Sequence, residues 1–382
     1  MKQFTVAVSC GEKSGDLNAS LLIKKLKETY PFISFYGIGG EKMKAAGCRL
    51  IAETDKFGAI SITESLKVSF KLLAIYLKLK HKIITEKPDL LLCVDFGFFN
   101  TKLIKAAYNA GVKNIFYFPP GSWRKHLKHA ESLVKTESKV ITPFPWSEAN
   151  YKKFGLETKF VGHPLIDIAK PNTDMESFCQ KHKIDSQKNI FGFLLGSRLF
   201  EINMHIEPYA ETINELYREN PDSYFLFAAS SVYRDLINEK LKKLCPDSYK
   251  NIRIIVDETY NIMAFSQFLF CCSGTATLEA AIIGTPMVIL YKGNPIMEIE
   301  FFFRKRRLPA IIGMPNIILD RVTVPEIISR NVCAKSMIEA YKDTIKRKDE
   351  IKKDFQDIKN ILGSEPVIDK IAKTFAQMAN IE

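Results

Sequence analysis

Short runs of consecutive apolar residues alternate along the 382-residue chain with longer stretches whose apolar positions recur every three or four residues. The short runs predict strands buried on both faces, and the longer stretches predict helices laid on those faces. The chain therefore reads as successive βα units around parallel sheets, an α/β fold. In the first half the strand runs are 4–9, 33–36, 90–94, 114–118 and 139–141. The stretch 17–30 is an amphipathic helix with Leu21, Leu22, Leu26 and Tyr30 near one face. Residues 10–16, CGEKSGD, then form a loop at a strand's carboxyl edge, where open α/β sheets bind ligands. Ser14 or Asp16 can cap the following helix, and that is compatible with ligand contact. Asp95 directly follows the strand 90–94, and Asn100 opens a helix to Ala110. Asp95 is far upstream for a cap of that helix, which favours a catalytic or ligand role.

The second half restarts the rhythm. A strand at 190–195 ends in Gly196, Ser197 and Arg198, and a helix begins near Met204 and runs to 219. Strands at 224–228 and 252–256 enclose a helix at 234–244, and a short helix at 260–265 follows. A strand at 268–272, a turn at Ser273, Gly274 and Thr275, a helix at 276–283 and a strand at 287–291 come next. Gly284 and Pro286 stop the helix. Helices at 334–346, 350–361 and 366–378 close the chain. Composition turns polar from Asp167 to Ser186, which marks a boundary. The expected domains are 1–168 and 187–345, with the helices of 346–382 packing back on the first.

Net charge is +12, which points to an anionic partner unless the lysines are simply solvated. The eight cysteines form no CxxC pair and read as reduced buried thiols. The opening MKQFTVAVSC reads as a strand and not as a signal peptide, and no run of about 18 apolar residues could span a bilayer.

The turn after 268–272 changes the picture most. Backbone N–H groups at a helix start, with the helix dipole behind them, suit a diphosphate, and Glu279 one turn on suits a ribose diol. Gly196, Ser197 and Arg198 add backbone donors, a hydroxyl and a guanidinium. The chain lacks GxxxxGK[ST], HExxH and any DxD pair, and its first half lacks GxGxxG with a following acid, so a metal-independent reaction without cofactor is expected. The stretch 57–82 mixes Phe70, Leu73 and Leu77 with lysines, as a helix at a lipid interface or a sheet-packed surface helix would. FFFRKRR at 301–307 is a second candidate membrane contact, with nucleic acid as a competing reading that has no reader module behind it.

CGEKSGD at 10–16, VDFGFFN at 94–100, VGHPLID at 161–167, LLGSR at 194–198, SGTATLE at 273–279 and MPN at 314–316 resemble the motifs of the lipid-A-disaccharide synthase family in order and spacing. The resemblance implies a GT-B fold, two Rossmann-like domains facing each other across a cleft. It implies an inverting glycosyltransferase of lipid A biosynthesis, peripheral on the cytoplasmic face of the inner membrane. Such an enzyme moves 2,3-diacylglucosamine from its UDP conjugate to 2,3-diacylglucosamine 1-phosphate and releases UDP. Asp95 matches the aspartate the family needs, and Glu12 joins it as a catalytic candidate. Gly196, Ser197, Arg198, Ser273, Gly274, Thr275, Ala276, Glu279 and Asn316 fall on the donor side. Ser14, Gly15, Asp16, Asn100, Trp123 and His163 fall on the acceptor or sugar side. The partners implied are a UDP-sugar donor, an acylated glucosamine phosphate and a membrane surface, without nucleic acid; a homodimer is left open. Departures cluster on the acceptor side: Phe98 replaces an aspartate, PPGSWRK stands at 119–125 and PWS at 145–147. Leu195 replaces the proline before GSR. A UDP-sugar epimerase on the same scaffold and a non-enzymatic UDP-sugar or lipid binder are the other readings.

Overall fold

Branched and aromatic runs fold as the strands of two parallel sheets. The computed structural model describes residues 3–54, 62–122, 130–293 and 311–381. Residues 57–61, Trp123 with the basic residues after it, and 301–307 lie outside the described residues. The chain divides into two units, 1–167 with 361–382, and 168–360.

The first unit holds β1 (Phe4–Cys10), β2 (Ile33–Gly39), β3 (Arg49–Glu53), β4 (Leu90–Val94), β5 (Lys113–Tyr117), β6 (Lys139–Thr142) and β7 (Thr158–Phe160). Their order is β3-β2-β1-β4-β5-β6-β7. Helices α1 (Lys13–Thr29), α2 (Glu41–Ala45), α3 (Ile62–Glu86), α4 (Gly97–Asn109), α5 (Glu131–Val134) and α6 (Pro145–Lys152) connect them. Side chains alternate along each strand between two cores. Val6, Val8, Leu90, Leu92 and Val94 pack with α1 and the final helix Val367–Ala379. Ala7, Leu91 and Cys93 pack with Leu79, Ile83, Leu103 and Ile104 of α3 and α4.

The second unit holds β8 (Ile190–Leu194), β9 (Tyr224–Ala229), β10 (Ile252–Val256), β11 (Phe268–Cys272), β12 (Met287–Tyr291) and β13 (Glu326–Ile328), in the order β10-β9-β8-β11-β12-β13. One face is a phenylalanine layer: Phe193 stacks on Phe227 at 5.1 Å and on Phe270 at 4.9 Å. The helix Leu199–Glu219 covers that layer with Ile202, Ile206, Tyr209 and Ile213. Offset stacks of this kind add about 0.5–1.5 kcal/mol each beyond their area.

The polar stretch after Asp167 belongs to the second unit. It contains the helix Met175–His182, whose Phe178 and Cys179 pack with Ile190, Leu226 and Ile255 in the second unit. The chain crosses back within the helix Lys348–Leu362, so of the closing segments Val367–Ala379 supplies the packing on the first core.

Each sheet reverses its strand order once, between β1 and β4 and between β8 and β11. Loops leave in opposite directions at such a point and open a crevice at the carboxyl ends of the strands. Residues 11–16 and Asp95 follow β1 and β4, while Gly196–Arg198 and Ser273–Thr275 follow β8 and β11.

Candidate active site

At the first switch point the β1 and β4 loops interlock. A Cβ at Gly11 would lie 2.1 Å from the Phe96 ring, and one at Gly15 would lie 2.9 Å from Cys10 Sγ and 3.5 Å from Asp95 Cβ. The two glycines therefore let the β1 loop close over the β4 turn. Helix α1 starts at Lys13, so Ser14, Gly15 and Asp16 form its first turn and not the predicted loop. Their polarity had hidden them from the apolar period. Asp16 is buried and accepts hydrogen bonds from the N–H groups of Gly40 (2.8 Å), Lys42 (3.1 Å) and Met43 (3.1 Å). Its carboxylate caps α2 instead of standing open to a sugar or capping its own helix.

Asp95 and Phe96 are both left-handed, with φ of 51° and 56°. Asp95 Oδ1 accepts the Phe96 N–H at 3.0 Å. Burial, followed by the charge of Glu12, raises the Asp95 carboxyl to about 6, against the lowering effect of the Phe96 N–H. Glu12 itself is exposed. Helix α4 begins at Gly97, so Asn100 lies inside its first turn, fully buried. The Asn100 amide, assigned by the resemblance to the acceptor side, bonds here to Ser9, Val94 and Asp95.

The VGHPLID segment serves the chain's own end. Gly162 has φ of 123°, and a Cβ there would meet Val367 at 2.8 Å. His163 N–H donates to Leu362 O at 2.8 Å. The His163 ring is buried among Phe118 and Phe144, with centroids 5.3 and 5.7 Å away, and burial pulls its pKa down to about 3. Leu165 N–H donates to its Nδ1 at 3.2 Å, which leaves the proton of the neutral ring on Nε2. Trp146 stacks on Phe144 at 4.8 Å and donates from Nε1 to Ser122 O at 3.1 Å, bracing the loop before Trp123.

At the second switch point the helix after β8 starts at Leu199, five residues before the expected position, and Glu201 enters the site. Glu201 Oε2 accepts the Ser197 N–H at 2.8 Å and the Arg198 N–H at 3.1 Å, and Oε1 lies 3.4 Å from Arg198 Nη1. Gly196 has φ of 95°, and a Cβ there would strike Glu201 Oε2 at 2.4 Å. The backbone donors assigned to an anion are thus held by a carboxylate. The signal was readable, since a Glu three residues after a helix N-cap is a capping-box position. His205 bonds to Glu201 O at 2.8 Å and accepts the Lys292 N–H at 3.2 Å, tying this helix to the end of β12.

The adjacent turn is open. Gly274 precedes the helix Thr275–Ile283 with φ of 155°, and among the described residues nothing lies within 4 Å of a Cβ placed on it. Ser273 N–H donates to Leu290 O at 2.8 Å, and Thr277 Oγ1 donates to Gly274 O at 2.8 Å. Gly274 and Thr275 are exposed, and Ala276 is half-buried. Glu279 Oε1 accepts the Tyr260 hydroxyl at 2.9 Å. Cys272, raised to about 12 chiefly by burial, feels both Glu201 and Arg198, so the two turns share one electrostatic environment. Asn316 is fully buried and fully engaged. Its Nδ2 reaches Val324 O and Glu326, and its Oδ1 accepts Thr323 and Val324 N–H groups. It staples the chain before β13, with its side-chain donor and acceptor engaged within the chain.

Helix α3 packs Leu79 and Ile83 inward and leaves Phe70, Leu73 and Leu77 at 67%, 52% and 53% exposure. Phe98 is 77% exposed, with Lys102 Nζ 4.3 Å from its ring centre. Tyr76 of α3 meets Phe99 edge-on at 5.5 Å, and Phe99 stacks on Phe96 at 4.6 Å, which links this helix to the Asp95 turn. Among the described residues no helix is long and apolar enough to cross a membrane, and no three His, Cys, Asp or Glu side chains group as metal ligands. All eight cysteines are free, and Cys333 alone is exposed.

Two parallel-sheet α/β units with their polar turns at the switch points define a GT-B protein. The fold is shared with the UDP-GlcNAc 2-epimerase of Neisseria meningitidis solved with UDP-GlcNAc (TM-score 0.63, 14% identity, all of both chains covered). It is shared also with S. aureus MnaA solved with UDP (TM-score 0.65, 14% identity, 100% of this chain and 98% of that one). Residues 6–379 match the family model of lipid-A-disaccharide synthetase, and the chain belongs to that family of glycosyltransferases. The lipid-A-disaccharide synthase of Colwellia psychrerythraea is 32% identical over 349 residues, 90% of this chain and 87% of that protein. That of Sulfurihydrogenibium sp. is 34% identical over 335 residues, 85% of this chain and 84% of that protein.

Proposed function

We propose that this chain transfers 2,3-diacylglucosamine from UDP-2,3-diacylglucosamine to 2,3-diacylglucosamine 1-phosphate with inversion, releasing UDP. The observation that carries the reading is Asp95, held at a switch point with its carboxyl raised to about 6. A base with that value is ionised at neutral pH yet basic enough to take a hydroxyl proton. In the proposed step the acceptor oxygen bonds to the anomeric carbon while its proton passes to Asp95. The bond from that carbon to the diphosphate breaks, and UDP leaves with the electron pair. The open helix start at Gly274, Thr275 and Ala276 and the Arg198 guanidinium stabilise the developing diphosphate charge. Glu279, steadied by Tyr260, receives the ribose diol.

Family membership and the UDP-bound fold relatives support the donor class. We propose that the reaction needs no divalent metal, because the charged groups named above supply the neutralisation. The apolar stripe of α3 with its lysines supports peripheral binding at the cytoplasmic face of the inner membrane.

The test is incubation with both diacylated substrates, with and without EDTA. Equimolar disaccharide 1-phosphate and UDP in both samples are expected. An epimerised UDP-sugar without UDP release would favour the epimerase reading, and no turnover in either sample would refute the transferase. Activity abolished by EDTA and restored by a divalent ion would overturn metal independence.

A further inference from the structure

Ser9 lies in β1 with no solvent exposure. Its hydroxyl donates to Asn100 Oδ1 at 2.5 Å, across 91 residues of sequence. With Oδ1 so engaged, the amide nitrogen faces three carbonyls: Asp95 O at 2.7 Å, and Ser9 O and Val94 O at 3.3 Å each. The amide thus joins the carboxyl ends of β1 and β4 to the first turn of α4. The shortest bond of the amide nitrogen grips the residue proposed as the base.

Asp95 and Phe96 are consecutive non-glycine residues in the left-handed region, a conformation that persists only where the surroundings over-determine it. The Asp95 N–H donates to Tyr117 O at 3.3 Å, and the Asn100 N–H to Phe96 O at 3.1 Å. Of the bonds from side chains to this turn's main chain, the Asn100 amide supplies the one to the Asp95 carbonyl. Reversing the amide would set its oxygen against three carbonyls, so its orientation is forced from both ends.

We propose that Ser9 and Asn100 form a buried latch that positions Asp95 for proton transfer. The inference rests on Asp95 acting as the base. Ser9 carried no functional signal in the sequence, where it is one small residue in an apolar strand. Asn100 was assigned to the acceptor side. Both are positioning residues, since neither side chain reaches solvent.

The test compares Ser9→Ala, Asn100→Ala and the double variant in the full chain, with calorimetry to report the folded fraction. Displacement of a reacting group by about 1 Å can cost on the order of 100-fold in rate. Ser9→Ala is expected to lose roughly tenfold in kcat, and Asn100→Ala and the double variant roughly 100-fold each. Donor KM should stay within about twofold, because the latch's hydrogen bonds all lie within the first unit. The acid limb of the kcat profile should move down from its position near 6 as Asp95 relaxes toward water. Among the described residues the ionisable groups coupled to Asp95 directly or through Cys10 are Glu12, the Cys10 thiol and Asp16, and the variants leave all three in place. Should Asn100→Ala fail to fold, Ser9→Ala decides on the same readouts. A lower melting temperature with wild-type kcat and an unmoved acid limb would reduce the latch to scaffold. Full activity of Asp95→Asn would instead remove the base assignment itself.

Discussion

Glu201 Oε2 accepts the backbone N–H of Ser197 at 2.8 Å, four residues back along the chain. The contact fills the turn after β8 with a carboxylate, whereas among the described residues nothing lies within 4 Å of a Cβ placed on Gly274 in the turn after β11.

Removing that carboxylate should loosen the turn. Glu201→Ala is expected to cost about 1 kcal/mol of stability, the usual worth of a cap, and to weaken UDP binding several-fold. Glu201→Gln keeps an acceptor at the capping-box position and should lose less stability. Calorimetry of unfolding and of UDP binding measures both. Equal UDP affinity in all three proteins would separate this turn from the donor.

The raised carboxyl of Asp95 fixes a pH dependence. Turnover should fall below about pH 6 as the base is protonated, close to tenfold per pH unit. Asp95→Asn should lose at least 100-fold in kcat and keep UDP affinity. An acid limb near 4 in the wild type would contradict this environment.

The same shift predicts a stability effect. A carboxyl raised above its unfolded value stabilises the fold below the unfolded pKa, and that contribution is lost as pH rises through about 6. Asn carries no charge to desolvate and tolerates left-handed backbone. Asp95→Asn should therefore be more stable than the wild type by about 1–2 kcal/mol at pH 8, with the gain vanishing near pH 4. Denaturant melts at the two pH values decide it, and a less stable variant at pH 8 would count against the desolvated charge.

Asp167 takes the N–H groups of Val367 and Ile368 at 3.0 and 2.7 Å and so caps the final helix from 200 residues away. Asp167→Ala should cost about 1–2 kcal/mol, roughly 2–8 °C in melting temperature. An unchanged melting temperature would show that packing alone holds this helix.

Exposed apolar side chains on α3 should govern lipid binding. Changing Phe70, Leu73 and Leu77 together to serine removes roughly 5 kcal/mol of transferable apolar surface at full insertion, so at least a tenfold loss of vesicle binding is expected. Unfolding midpoints should hardly move, because these side chains face solvent. Sedimentation with anionic vesicles is the measurement, and unchanged binding would dismiss this face.

The sequence by itself determined the βα rhythm, the longer apolar strands and the polar turns that follow β1, β4, β8 and β11, while the edge strands β3, β7 and β13 went unread because they are short or only partly buried. Strands buried on both faces are nearly pure apolar runs, and a turn at a strand's carboxyl edge needs small or polar residues, so both leave a local mark. Helix starts were less legible. Helices begin at Lys13, Gly97 and Leu199, earlier than their apolar periods suggest, and the first two open on polar residues or glycine that carry no apolar period. Tertiary structure alone decided what the motif side chains touch. Asp16 meets Gly40, Asn100 meets Ser9, and Asp167 meets Val367, contacts spanning 24, 91 and 200 residues. A carboxylate that caps a distant helix and one that faces solvent look identical in sequence, since the difference lies in which backbone donors the fold carries to it. Only the folded chain separates Asp95, raised by burial, from Asp16 and Asn316, whose hydrogen-bonding atoms are already engaged.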